Sequence, residues 1–178
     1  MEESRLWIEG SSNVNQFECR AEEYAGEATL PGTENSPSSP LTATNELLSI
    51  KIDIQVDSIE CGKRKMNQDL QKALKAEQFP EITFLFQEAN IISEPRNTGD
   101  GFQLEVRGLL TVAGTTKEIN FTTEAYYTGK NRVRAQGGTT INMTDFGVQP
   151  PTALMGLIRA NEELTVNFDL IAEPKNSR

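Results

Sequence analysis

The residue type that acts most often as a general acid or base in catalysis is missing from this chain. It contains no histidine, which disfavours Ser-His-Asp and Cys-His catalysis and most zinc sites. Asp145 has no partner acid, base or metal-ligand cluster nearby in the sequence, so a hydrogen-bonding role in a turn is favoured over a catalytic one. We interpret the adjacent Glu162 and Glu163 as surface charge. These residues favour a binding protein over an enzyme.

The chain has two cysteines, Cys19 and Cys61. Two thiols cannot form a four-thiolate zinc site, and their spacing excludes a CxxC redox motif. Both lie near the ends of predicted strands that a barrel would bring together. From the residues alone, a disulfide and two separate free thiols both remain open.

The stretch Lys63, Arg64, Lys65 concentrates positive charge in an acidic chain. It is a candidate contact for the phosphate of a polyprenyl phosphate or for a membrane surface. The alternative, which we favour, is a solvated turn whose charges are balanced by nearby carboxylates. Basic charge at this position therefore requires no ligand.

The composition describes a soluble, globular chain of 178 residues with a formal net charge of -9. The negative charge argues against nucleic-acid binding, because phosphate contacts need a concentrated basic surface. No apolar run reaches the roughly 18 residues of a membrane-spanning helix. The start "MEESRLWIEG" lacks the features of a signal peptide, so we expect either a protein inside the cell or a mature form whose leader was removed.

The elements that would position these residues are mostly strands. "LLSIKIDIQV" alternates apolar and polar residues with a period of two, and similar runs recur to the end of the chain. About eight such strands, each with one apolar face, must close into a barrel or fold into a sandwich, because only one helix is available to cover them. We predict an all-β fold, with a barrel favoured.

Two segments interrupt the strand pattern. Residues 29–46 are rich in Pro, Ser, Thr and Asn and are predicted to form an exposed, mobile loop. One short helix is predicted from Asn67 to Lys75, with Asn67 as its N-cap and Pro80 preventing its continuation. Its apolar stripe is narrow, which suits closing one end of a barrel.

Three stretches together resemble the YceI-like family: "VDSIECGKRKMNQDLQKALKAEQFPEITFLF", "VRGLLTVAGTTKEINF" and "INMTDFGV". The second matches the family pattern G-x-L-T-x-x-G-x-T-K, and the third matches its D-F-G phrase. The resemblance indicates one domain over residues 6–173, followed by a tail at 174–178. The matching residues are Gly108, Leu110, Thr111, Gly114, Thr116, Lys117, Asp145, Phe146 and Gly147.

The resemblance implies an extended, eight-stranded, antiparallel, lipocalin-like barrel that carries a long apolar lipid without catalysis. The implied ligand is a polyisoprenoid, an isoprenoid quinone or a fatty-acid-like amphiphile, with no other cofactor and no metal. It also implies a periplasmic or secreted protein, with a cytoplasmic one as the alternative. An exported protein in turn favours the Cys19–Cys61 disulfide. A homodimer is possible on family grounds.

The resemblance also makes the inward apolar stripe the candidate ligand site. Without it, a filled core is the favoured interpretation of that stripe. A stress-related barrel with a filled interior, acting through its surface, is the alternative function, and an enzyme of quinone or isoprenoid chemistry is the less favoured third. Two further residues, in the apolar loop before the last strand, are predicted to form a lid: Leu154 and Leu157. The predicted lining is Ile52, Ile54, Phe84, Phe86, Leu104, Val106, Phe121, Ile141, Met143, Val166 and Phe168.

Overall fold

A computed structural model describes residues 4–29, 49–93, 101–129 and 132–172. The predicted 29–46 loop, apart from Thr29, and the 174–178 tail lie outside these residues. Within them the chain forms eleven strands and one α-helix. The elements are β1 Arg5–Ser12, β2 Gln16–Ala21, β3 Tyr24–Thr29, β4 Ser49–Gln55, β5 Ile59–Glu60, α1 Arg64–Ala73, β6 Glu81–Ser93, β7 Phe102–Val112, β8 Thr115–Gly129, β9 Arg132–Asn142, β10 Thr152–Ala153 and β11 Ile158–Ala172.

The strands form one antiparallel ladder in the order β3-β4-β6-β7-β8-β9-β11-β1-β2-β5. Its two ends are continuous with each other, because β2 leads directly into β3 and β4 leads through a short 3₁₀ turn into β5. Backbone hydrogen bonds bridge the join, from the Glu22 amide to the Ser58 carbonyl (3.2 Å) and from the Gln55 amide to the Glu23 carbonyl (3.1 Å). The curled sheet therefore closes on itself.

The predicted fold class is confirmed. The strand count differs because two of the long strands are each interrupted at the join and because the two-residue β10 only pairs with the start of β11. When β2–β3 and β5–β4 are each counted as one bent strand, eight strands surround the interior. The bend depends on hydrogen bonds between segments distant in the sequence, which the period of two does not record.

The register fixes which face of each strand points inward, since residues directly opposite in a ladder share a face. Ile52 is opposite Phe84, and Val106 is opposite Phe121. The same phase continues around the wall through β9, β11 and β1. The mostly apolar half of the alternation therefore forms the inside of the barrel, together with a few polar residues such as Thr123 and Thr139.

The helix α1 begins earlier than predicted, at Arg64, and ends at Ala73. Asn67 lies inside it and is not its N-cap: the Asn67 side chain accepts a hydrogen bond from the Cys61 amide (2.8 Å) and donates one to the Glu60 carboxylate (2.8 Å). The residue in the N-cap position is Lys63, whose side chain makes no capping hydrogen bond. These two hydrogen bonds of Asn67 attach the helix to the end of β5.

The helix closes one end of the barrel. Leu70 and Leu74 are buried in a helix-end cluster that also contains the 3₁₀-turn residues Val56, Met143 and Phe146. A smaller far-end cluster lies toward the other end, around Leu104, Val106 and Ala125. The helix thus has the plugging role that its narrow stripe predicted.

A disulfide joins Cys19 of β2 to Cys61, which follows β5. The two Cα atoms are 4.0 Å apart, and Cys19 is 1% exposed. Of the two alternatives that the sequence left open, the structure contains the disulfide. It lies beside the join between β2–β3 and β5–β4, and it holds that part of the wall together.

Candidate functional site

The interior of the barrel is the candidate site, and most of the predicted lining residues face it. Of the thirteen residues predicted to line or cover the site, Leu104, Val106 and Met143 are buried. Met143 belongs to a 3₁₀ turn and not to the strand, because β9 ends at Asn142. A ligand role for these residues stays a prediction. The half-buried members are Ile52, Ile54, Phe84, Phe86, Phe121, Ile141, Val166 and Phe168.

The two predicted lid residues are on the outer surface. Leu154 is 67% exposed and Leu157 is 73% exposed, and neither faces the interior. They belong to a turn at the helix end of the barrel, beside a surface groove of about 490 Å³. The side-chain amide of Asn13 holds this turn by donating a hydrogen bond to the Leu157 carbonyl (2.8 Å). A lid function stays a prediction and would require the turn to move.

Three inward phenylalanine rings pack closely against glycines in the wall. A Cβ atom added to any of these glycines would overlap the neighbouring ring, so only glycine leaves room for it. The sequence analysis missed these positions, although a glycine in the inward phase of a strand signals a close approach. The pairs are Gly10 with Phe17, Gly108 with Phe84 and Gly137 with Phe168.

A row of three rings crosses the interior between the two apolar clusters. The Phe121 centroid is 5.8 Å from that of Phe84 and 5.5 Å from that of Phe168, the second pair edge to face. Phe84 contacts both the helix-end and the far-end cluster. The row therefore divides the inward surface into two parts.

The wall has an opening between β8 and β9. The two strands pair from Thr123–Gly137 to Gly129–Arg132, but no ladder pair joins residues 115–122 of β8 to residues 138–142 of β9. A cavity of about 300 Å³ occupies this gap, which we call the wall cavity. Two of the stretches that resemble the YceI-like family meet there. The wall cavity is lined by Lys117, Glu118, Ile119, Thr140, Ile141, Asn142, Asp145 and Phe146.

The remaining charged candidates lie outside the interior. Lys65 forms an ion pair with Asp69 one helical turn later, in line with the interpretation of a charge-balanced turn. Asp145 is exposed in the 3₁₀ turn after β9. Glu162 and Glu163 are also exposed, and the Glu162 carboxylate accepts a hydrogen bond from the Thr144 hydroxyl (2.8 Å).

The outer face carries one buried charge that sequence reasoning missed. Asp169 on β11 is 4% exposed, and Arg134 on β9 donates two hydrogen bonds of 2.7 Å to its carboxylate. These bonds, with one from Gln136, lower the pKa of Asp169 to about 2, against the opposing effect of burial. The cluster ties β11 to β9 and does not reach the interior.

The described residues contain no group of three or more carboxylate, thiol or imidazole side chains placed to hold a metal ion. Nor is any helix among them long and apolar enough to cross a membrane. The apolar interior and the wall cavity are the candidate sites in the described part of the chain.

In sequence, residues 3–172 match the family model of the YceI-like domain. Among curated proteins, no sequence matches the chain.

Several solved structures share the fold. BcnA from Burkholderia cenocepacia is 16% identical, with a TM-score of 0.68 over 95% of this chain and 96% of that chain. A polyisoprenoid binding domain from Saccharophagus degradans, implicated in plant cell wall breakdown, is 14% identical, with a TM-score of 0.70 over 97% and 94%. The Campylobacter jejuni YCEI protein is 19% identical, with a TM-score of 0.63 over 89% and 85%.

Proposed function

Because this chain belongs to the YceI-like domain family, we propose that it binds a long apolar lipid inside its barrel and carries it without chemical change. The ligand class is a polyisoprenoid, an isoprenoid quinone or a fatty-acid-like amphiphile. The solved structure of a polyisoprenoid binding domain with the same fold supports this assignment. Transport outside the cytoplasm, in the periplasm or after secretion, is part of the proposal.

The observation that carries the proposal is the incomplete burial of the inward side chains. A closed ladder surrounds Ile52, Phe121 and Val166, yet each keeps accessible surface. Protein interiors are normally packed as densely as organic crystals, so inward apolar residues of this kind are usually covered. A slender apolar guest would cover them.

The energy available from this contact is large enough for retention. Each buried methylene contributes about 0.8 kcal/mol, so one isoprenoid unit of five carbons would contribute about 4 kcal/mol. Two or three units would hold a lipid without any polar contact, after part of the gain is offset by the cost of association.

The direct test is to extract the purified protein with organic solvent and to identify lipids by mass spectrometry. We expect a bound lipid in stoichiometric amount. Val166→Trp, which fills the interior from β11, should reduce that amount at least fivefold. Leu85→Trp is the matched control, because Leu85 is an exposed outward residue of β6. Thermal unfolding of each variant shows whether it is folded.

If Val166→Trp does not fold, Ile52→Phe fills the interior from β4 by a smaller change. A folded variant that retains as much lipid as the Leu85→Trp control would contradict binding in the interior. Complete absence of lipid from the wild-type protein, together with no uptake of added isoprenoid alcohol, would contradict it as well.

One observation favours the alternative of a filled barrel that acts through its surface. The rings of Phe84, Phe121 and Phe168 touch across the interior, so a lipid tail longer than one half of the barrel must displace them. The extraction experiment separates the two functions, because a filled barrel retains no lipid.

A further inference from the structure

We propose that the wall cavity between β8 and β9 binds the head group of the lipid, and that it selects a neutral hydroxyl over an anionic phosphate. This inference rests on the proposed function, since a head group there implies a tail in the barrel. It names a second part of the site and the chemical class of the ligand's polar end.

The wall cavity passes through the sheet and does not lie on one of its faces. Side chains alternate between the two faces of a strand, so a groove on one face is lined by every second residue. Here consecutive residues line it: Glu118 and Ile119 on β8, and Thr140 and Ile141 on β9. Such a lining arises where a cavity passes between two strands that have separated.

The opening has polar groups at the edge and apolar groups beneath. Ile119, Ile141 and Phe146 belong to the helix-end cluster and form the apolar floor. The strand edges that face the gap make no ladder pair with each other, and each brings backbone donors and acceptors to it. A hydroxyl is both donor and acceptor, so it matches this edge.

The floor is continuous with the proposed tail site. Ile119 is two residues from Phe121 on β8, so both point inward. Ile141 is opposite Leu164, two residues from Val166 on β11. A lipid whose head group occupies the wall cavity can therefore place its tail on the inward face without leaving apolar surface.

The charges at the wall cavity discriminate between head groups. Lys117 supplies one positive charge, while Glu118 and Asp145 supply two negative ones. The excess of carboxylates repels a phosphate at short range. It does not repel an uncharged alcohol or phenol, for which the Thr140 hydroxyl and the Asn142 amide are further hydrogen-bond partners.

The test uses three probes with the same tail: farnesene without a polar head, farnesol with a hydroxyl, and farnesyl phosphate. Equilibrium dialysis gives the Kd of each for the full chain. In the wild-type protein, farnesol should bind most tightly. In Glu118→Gln with Asp145→Asn, the Kd of farnesyl phosphate should fall about tenfold, because two repulsive charges near the head group are removed. The Kd of farnesene should not change.

Glu22→Gln with Glu27→Gln is the matched control. It changes the net charge equally, but both residues are exposed on the β2–β3 wall, on the other side of the barrel. Equal affinity of the two double variants for farnesyl phosphate, with farnesene bound by both, would overturn the head-group site and leave the barrel interior intact. If farnesene does not bind the wild-type protein, the proposed function fails, while the change in phosphate affinity still decides the charge effect at the wall cavity.

Discussion

The rings of Phe121 and Phe168 meet edge to face inside the barrel, with their centroids 5.5 Å apart. Phe121 also contacts Phe84, so one residue of β8 connects β6 to β11 across the interior. These contacts stabilise the empty barrel, and a long tail would have to separate them. Stability and ligand uptake therefore depend on the same three rings.

Phe121→Leu removes both ring contacts but keeps an apolar side chain. We expect the free energy of unfolding to fall by about 1–2 kcal/mol and lipid uptake to become faster, because the rings no longer have to part. Urea denaturation and stopped-flow uptake of a fluorescent fatty acid measure the two effects. Phe86→Leu, an inward ring outside the row of three, is the control. Slower uptake in Phe121→Leu would show that the row assists binding.

Gly108→Ala tests the close contact between a glycine and a ring. The added methyl group would overlap the Phe84 ring and approach the Leu85 carbonyl to 2.9 Å, so we expect a loss of about 1–3 kcal/mol in the free energy of unfolding. Gly26→Ala is the control, because the nearest atom to its Cβ would be 4.0 Å away. Urea denaturation measures both. Adding Phe84→Leu to Gly108→Ala should recover part of the loss.

Replacing Cys19 and Cys61 together by Ser should lower the free energy of unfolding by about 2–4 kcal/mol. The disulfide closes a segment with a sequence separation of 42, and opening it gives the unfolded chain more freedom. Denaturant unfolding with and without a reductant provides the measurement. The reductant should destabilise the wild-type protein by a similar amount and the double variant not at all.

Asp169 should make the protein sensitive to acid. Its pKa is about 2 in the folded state, below the ordinary value of 3.8, so its ionised form stabilises the fold. That contribution of roughly 2 kcal/mol is complete above about pH 4 and is lost as the pH falls toward 2. Urea denaturation between pH 7 and pH 2 should show a smaller decrease for Asp169→Asn than for the wild type.

The control for the pH experiment is Glu105→Gln, which removes an exposed carboxylate of β7. Asp169→Asn should also be less stable at pH 7, because Arg134 loses its charged partner. An identical pH dependence of the wild type and Asp169→Asn would refute the stabilising role of this ion pair.

The period of two was enough to predict an all-β fold, with a barrel favoured over a sandwich, and the inward phase of the strands. Ile52, Val106 and Phe168 face inward as the alternation requires. A shift of one residue in the register of any strand would turn the apolar residues of that strand outward. The bend that divides β4 from β5 was not predicted, because it depends on turn hydrogen bonds between segments distant in the sequence.

The wall cavity could not be predicted for a similar reason. Lys117 and Asp145 were recognised as parts of separate motifs, but only the loss of pairing between β8 and β9 places them at one opening.

The exposure of Leu154 and Leu157 could not be predicted from their residue types. Their apolar character predicts burial, yet they lie in a turn in which Leu154 and Met155 adopt positive φ angles of 50° and 54° and the side chains remain exposed.

The two opposite walls of this molecule differ in how firmly they are fastened. On one side, the disulfide of Cys19 with Cys61 locks the seam where the barrel closes. β8 and β9 lie four strand interfaces away from this seam, and they are unpaired with each other over about half of each strand. Thermal fluctuations should therefore open the barrel first between β8 and β9, while the disulfide keeps the opposite side closed. Among residues 138–142, the amide hydrogens that face the gap, and not those bonded to β11, should exchange long before those of β2.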